Sequence, residues 1–132
     1  MVKTIMVVDD NPDMTRTVKQ GLEKLDPDYS VVCVDSGENC LGLLENNHIP
    51  DLILLDIVMP GMSSWGTFER LKENLSWRNI PVFFLTARTD RMAKEAGGFL
   101  GDDYIEKPFE ITDLKERIDK VLEKLNNKLG ES

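Results

Sequence analysis

The sequence predicts an α/β fold, a three-layer α/β/α arrangement built on a doubly wound, five-stranded parallel sheet. Short apolar runs rich in β-branched residues alternate with segments whose apolar residues recur at helical spacing, in the order β-α five times over. The strand runs are apolar throughout rather than every second residue, so both faces of each strand need cover, and helices on both sides of a parallel sheet supply it. The residues that follow the strands are polar and mostly acidic. In an open parallel sheet that edge is where ligands bind.

Each element has its own justification. Residues 4–8 (TIMVV) form the first strand, ending at Asp9 and Asp10. Asn11 is a good helix cap and Pro12 fits the first turn of a helix. Met14, Val18, Leu22 and Leu25 then repeat at helical spacing until Pro27 stops the helix. Residues 30–34 (SVVCV) form the second strand. Ser36 caps a helix carrying Cys40, Leu41, Leu43 and Leu44, and Asn46, Asn47, His48 and Pro50 make the loop beyond it. Residues 52–55 (LILL) form the third strand and lead into Asp56. After Pro60 and Gly61 comes a helix with Trp65, Phe68, Leu71 and Leu75 along one side. Residues 81–85 (PVFFL) form the fourth strand, ending on Thr86 and Ala87. The helix expected over 89–96 is weak, because Gly97 and Gly98 stop or fray it. Tyr104 and Ile105 make a very short fifth strand. Ile111, Leu114, Ile118, Val121, Leu122 and Leu125 mark a long amphipathic last helix. Crossovers between parallel strands are right-handed.

With 132 residues, the chain fits one domain and can bury a core without metal or disulfide staples. Its net charge of -8 argues against a nucleic-acid or anionic-membrane surface, since both need a basic patch. Cys33 and Cys40 form no CxxC and are read as two buried thiols of a reducing, cytoplasmic compartment. No N-terminal apolar stretch suits a signal peptide or membrane span. His48 is the only histidine, so a zinc site or Ser-His-Asp chemistry lacks its parts. Trp65 and Trp77 are read as packing residues.

The topology gathers Asp9, Asp10, Asp56, Thr86 and Lys107 at one crevice. Three neighbouring carboxylates repel one another unless a cation sits among them. Oxygen ligands suit Mg²⁺, which keeps several waters and leaves room for phosphate. A carboxylate such as Asp56 can attack a phosphoryl group to give an aspartyl phosphate, with Lys107 and Thr86 facing the transferring oxygens. Each residue alone has a plainer reading. Asp10 before Asn11-Pro12 is a capping segment, Thr86 a β-branched strand end, Lys107-Pro108 an exposed loop, and Asp56 a turn aspartate. Their joint placement at one edge favours chemistry.

In combination, VVDDNP at the first strand end, LLDIVMPGM around Asp56, LTA at Thr86 and DDYIEKPF at Lys107 resemble the receiver domain of two-component response regulators, the single-domain chemotaxis kind included. The similarity runs from Val2 to Leu125, with a receiver domain expected over 1–128 and a short tail over 129–132. The resemblance implies a flavodoxin-like strand order 2-1-3-4-5, which spacing alone does not supply. It implies Asp56 as phosphoacceptor and Mg²⁺ held by Asp9, Asp10, Asp56 and the backbone carbonyl of Val58, with Asp9 acting mainly through water. Thr86 and Lys107 would contact the phosphoryl group, and Tyr104 would be the aromatic that turns inward when Thr86 moves. The Lys107-Pro108 peptide is expected to be cis. The donor would be a histidine kinase or a histidine phosphotransfer protein. A downstream protein partner would read the face made of the fourth helix, fifth strand and last helix, with the chain a monomer or a phosphorylation-dependent dimer.

Three departures from the family pattern stand out. Ser63-Ser64 replaces the common Asp-Gly, which bears on the shape of the loop after Asp56. Leu100-Gly101 replaces Gly-Ala, close behind Gly97-Gly98. Val58 and Arg88 occupy positions at which receivers tune loss of the phosphoryl group, and Val58 offers no hydrogen bond to an attacking water, so a long-lived aspartyl phosphate is expected. Two other functions share parts of the pattern. A Mg²⁺-dependent phosphatase of the haloacid dehalogenase kind needs a second Asp where Val58 stands. A receiver-like interaction module that is never phosphorylated usually lacks an acidic residue or the lysine, and all five residues are present here. After the last helix no length remains for a DNA-binding or enzymatic output domain, so the chain is expected to act alone or as part of a longer one.

Overall fold

Side-chain alternation along each strand decides which helices it meets. The computed structural model describes residues 2–56, 64–87 and 103–130, with the backbone alone at 86, 87 and 126–130. The elements run β1 (Lys3–Val8), α1 (Pro12–Leu25), β2 (Tyr29–Val34), α2 (Gly37–Glu45), β3 (Leu52–Asp56), α3 (Ser64–Glu73), β4 (Val82–Ala87), β5 (Asp103–Lys107) and α4 (Ile111–Gly130). The helix expected over 89–96 lies outside the described residues, as do Val58, Arg88 and the Gly97 to Gly101 departures. All strand pairs are parallel and the order is β2-β1-β3-β4-β5, as the resemblance implied.

The central strands are buried on both sides, so one residue in two goes to each of two cores. Ile5, Val7, Leu52, Leu54, Phe83 and Leu85 face α1 and α4, where they meet Val18, Leu22, Leu114 and Ile118. Met6, Val8, Ile53, Leu55, Val82 and Phe84 face α2 and α3, where they meet Cys40, Leu41, Leu44, Phe68 and Leu71. Three layers follow from that alternation alone. Phe84 anchors the second core, with the rings of Trp65 and Phe68 centred 4.9 and 5.2 Å from it.

Caps fix the helix starts. The Asn11 side chain accepts from the backbone N–H of Asp13 and Met14, and Pro12 occupies the first turn. Ser36 accepts from Asn39 N–H at the head of α2. Three apolar residues assigned to helix faces are exposed: Leu25, Leu75 and Leu125, the last of these on α4. Leu25 is the last residue of α1, and Leu75 lies past the end of α3 at Glu73.

Cys33 corrects the expectation of two buried thiols: Cys40 is buried and Cys33 is exposed. β2 is an edge strand, and Cys33 on it lines an open cleft, whereas the next residue, Val34, is buried.

The sheet's two outer edges are not bare backbone. In β2 the Val31 N–H points away from β1 and donates to Glu23 Oε2 at 2.9 Å, while its carbonyl accepts from Lys19 Nζ at 2.9 Å. Lys19 and Glu23 pair with each other across one turn of α1. In β5 the Tyr104 N–H donates to Asp103 Oδ1 at 2.8 Å, and its carbonyl accepts from Arg117 Nη1 at 3.2 Å.

Candidate functional site

Strand ends carry the site. Asp9 and Asp10 follow β1, Asp56 ends β3, and Lys107 ends β5, so parallel register brings them to one edge. The registers Thr86↔Glu106 and Ala87↔Lys107 set Lys107 beside the end of β4. A carboxylate oxygen from each of Asp9, Asp10 and Asp56 lies within 4.8 Å of the others. Asp9 and Asp56 are buried, 2% and 7% exposed, and Asp10 is exposed.

Lys107 holds the two buried carboxylates together. Its Nζ donates to Asp9 Oδ2 at 3.0 Å and stands 3.4 Å from Asp56 Oδ1. Burial works against the Lys107 charge. The hydrogen bond to Asp9 and the charges of Asp56 and Asp9 outweigh it, so its pKa lies above the ordinary 10.5. Lys107 is therefore an ammonium throughout the neutral range. The other Asp9 oxygen accepts from Asn11 N–H at 3.0 Å, which ties the start of α1 to the site. The Lys107-Pro108 peptide is cis, as expected.

The donor chemistry of the cluster suits Mg²⁺. Three carboxylates face one ammonium, every donor is oxygen, and one carboxylate opens to solvent. Beside it lies an open cleft of about 740 Å³, lined by Asp9, Asp10, Asp35, Asn39 and, over the edge of β2, Cys33. Asp56 and Lys107 do not line that cleft.

Of the residues read from sequence, Asp9, Asp10, Asp56 and Lys107 are brought together. The backbone of Thr86 reaches the same edge, but its side chain lies outside the described residues, as does Val58. Tyr104 lies on β5 and is half-buried against the core that holds Phe84. Ser64, which in the sequence stands out only as a departure from the family pattern, belongs with the site. Its side chain is fully buried and its Oγ donates to the backbone carbonyl of Asp56. The signal was available, since a hydroxyl stands at the head of a helix eight residues after the aspartate.

The described residues include no helix long and apolar enough to cross a membrane. Comparison with known proteins agrees with the geometry. The family model described as "response regulator receiver domain" matches residues 5–119. A Vibrio cholerae protein named "probable cyclic di-GMP phosphodiesterase" is 38% identical over 95% of this chain and 28% of its own length. The heme response regulator HssR of Staphylococcus saprophyticus is 36% identical over 93% of this chain and 53% of its own. The chain thus spans at most about half the length of these relatives. The N-terminal domain of a response regulator receiver protein from Methanoculleus marisnigri superposes with a TM-score of 0.71 at 40% identity, covering 92% of this chain and 98% of that one. A parallel sheet in the order 2-1-3-4-5, an acidic cluster at its carboxyl edge with a lysine set between two of the carboxylates, and a family match over most of the sequence place this chain in the response regulator receiver domain family.

Proposed function

We propose that the chain is a phospho-accepting switch in which Asp56 takes a phosphoryl group from a phosphohistidine on a histidine kinase or a histidine phosphotransfer protein. The observation that carries this is Lys107 Nζ standing between Asp9 and Asp56 inside a cluster of three carboxylates. A carboxylate oxygen of Asp56 attacks phosphorus, the P–N bond to the donor imidazole breaks, and its electron pair returns to that nitrogen. The product is an aspartyl phosphate. Reversal of the switch is hydrolysis, in which water attacks phosphorus, the bond to Asp56 breaks and inorganic phosphate leaves.

Asp9, Asp10, Asp56 and the Val58 carbonyl would hold Mg²⁺, which when bound neutralises charge on the phosphoryl oxygens. The chain's own residues do the rest. Lys107 supplies a fixed positive charge beside the attacking carboxylate, and the Thr86 hydroxyl is assigned to the phosphoryl oxygens. Burial of Asp9 and Asp56 keeps those charges in a weakly screened environment. Because the chain positions these groups itself, it catalyses its own phosphorylation and dephosphorylation and is not a turnover enzyme. The new group brings roughly 1.5 to 2 negative charges and three acceptor oxygens. Contacts with Thr86 and Lys107 then favour one arrangement of the face made of residues 89–96, β5 and α4, with Tyr104 following Thr86.

Intact mass after incubation with Mg²⁺ and phosphoramidate tests the proposal. One phosphoryl adduct that requires Mg²⁺ and is absent from Asp56→Asn is expected. An unmodified chain would leave the interaction module as the better reading.

A further inference from the structure

We infer that Ser64 is a positioning residue for the phosphoacceptor, an inference that rests on the function proposed above. Asp56 is the last residue of β3 and is in register with Leu85 of β4. Its backbone carbonyl leads out of the strand. The Ser64 hydroxyl, first residue of α3 and wholly inaccessible to solvent, donates to that carbonyl. A buried hydroxyl keeps its place only with a partner, and here the partner is the peptide unit that carries the reacting side chain.

The geometry gives the bond a consequence beyond packing. The carbonyl oxygen is held by the Ser64 hydroxyl, so rotation about the Asp56 Cα–C bond is restrained. The carboxylate of Asp56 hangs from that same Cα, within reach of Lys107 at 3.4 Å and the Asp9–Asp10 oxygens at no more than 4.8 Å. The bond ties the last residue of β3 to the first residue of α3. α3 is itself rigidly seated, because Phe68 and Leu71 are buried and Trp65 and Phe68 pack on Phe84. Ser64 thus refers the position of Asp56 to a second element besides the sheet. Partners of metal-bearing groups commonly matter about tenfold or more to affinity or rate when removed.

Ser64→Ala removes the hydroxyl and keeps the backbone. The test measures Mg²⁺ affinity of the unphosphorylated protein by titration calorimetry and the phosphorylation rate with phosphoramidate at saturating Mg²⁺. Thermal midpoint and far-ultraviolet circular dichroism are followed beside them, with Ser64→Thr as the variant that retains the hydroxyl. For Ser64→Ala, Mg²⁺ binding about tenfold weaker and phosphorylation about tenfold slower are expected, with secondary structure unchanged and partial recovery in Ser64→Thr. A Ser64→Ala protein that matches wild type in both binding and rate, whatever its thermal midpoint, overturns the role of Ser64 alone. A wild-type protein that neither binds Mg²⁺ nor gains the adduct overturns the proposed function and the role of Ser64 with it.

Discussion

Cys33 and Cys40 show how position within the sheet sorts two chemically identical side chains. Cys40 is buried against Met6, and burial pushes its thiol pKa up to about 12. Cys33 is exposed on an edge strand, with Sγ 3.4 Å from the carbonyl of Thr15. A thiol reagent at pH 8 should therefore label one cysteine in the native protein, Cys33, and both in denaturant; mass spectrometry of the labelled peptides reads the outcome. The sequence did not separate them, because Cys33 lies in an apolar strand run and Cys40 at apolar helical spacing with Leu41 and Leu44, and strand order decides which one has cover. The aspartates and the lysine were legible for the opposite reason: a charged residue directly after a buried apolar run has one place to go, the sheet's carboxyl edge. The Ser64 contact was less legible, because the spacing of a serine from an aspartate eight residues back does not say which of its groups the hydroxyl meets. Val58 also belongs to this scale. With no hydrogen-bonding group to hold an attacking water, it is expected to leave the aspartyl phosphate long-lived, and Val58→Asn should shorten that lifetime several-fold when decay is followed on purified phosphoprotein.

Packing of α2 on α3 turns on Gly37. A Cβ placed at Gly37 would fall well inside contact distance of the Thr67 hydroxyl, and both residues are buried. Glycine at the first position of a helix ordinarily costs stability relative to alanine, by up to about 1 kcal/mol in a helix interior. Overpacking costs about 1–3 kcal/mol and decides the sign here. Gly37→Ala should lower unfolding stability in urea by roughly that amount. In a Thr67→Ala background the same change should cost at least about 1 kcal/mol less, a coupling that a double-mutant cycle measures. The helices themselves were legible from periodicity and caps: Asn11, Pro12 and Ser36 sit where the sequence places them. Their ends were less so. Leu75 keeps the spacing of Trp65, Phe68 and Leu71 but lies beyond Glu73, because periodicity continues on paper after a helix has stopped.

The whole molecule is closed on the side away from the site by a charge cluster around Tyr29. The Tyr29 hydroxyl donates to Asp119 of α4, and Lys3 and Lys115 lie over the tyrosine ring at 5.3 and 5.6 Å. Burial alone would raise the Asp119 pKa. The hydrogen bonds from Lys115 and Tyr29 and the charges of Lys115 and Lys3 outweigh it, so the pKa lies below the ordinary 3.8. A group depressed in this way stabilises the fold above its unfolded pKa and loses that contribution as pH falls through the folded value. Unfolding free energy measured from pH 5 downward should therefore decline below about pH 4, and Asp119→Asn should flatten part of that decline. Equal slopes for the two proteins would show that other carboxylates set the acid limit. At this scale the fold was legible almost entirely, since five buried runs separated by amphipathic segments admit few arrangements other than a parallel sheet between helices. The order of the strands came from the family likeness, because nothing in the spacing fixes it.

The side chains set against the outer backbone of Val31 and Tyr104 bear on how such a unit behaves among its neighbours. Strand addition requires consecutive unpaired donors and acceptors along a rim, and on β2 the middle outward residue is already occupied by Lys19 and Glu23. On β5 Arg117 and Asp103 do the same. Side chains set against the outward backbone of each edge strand disfavour the addition of a foreign strand there. The relatives matched here are longer chains that contain a stretch like this one. Blocked rims are what let a module be joined to other folded parts without its sheet becoming theirs.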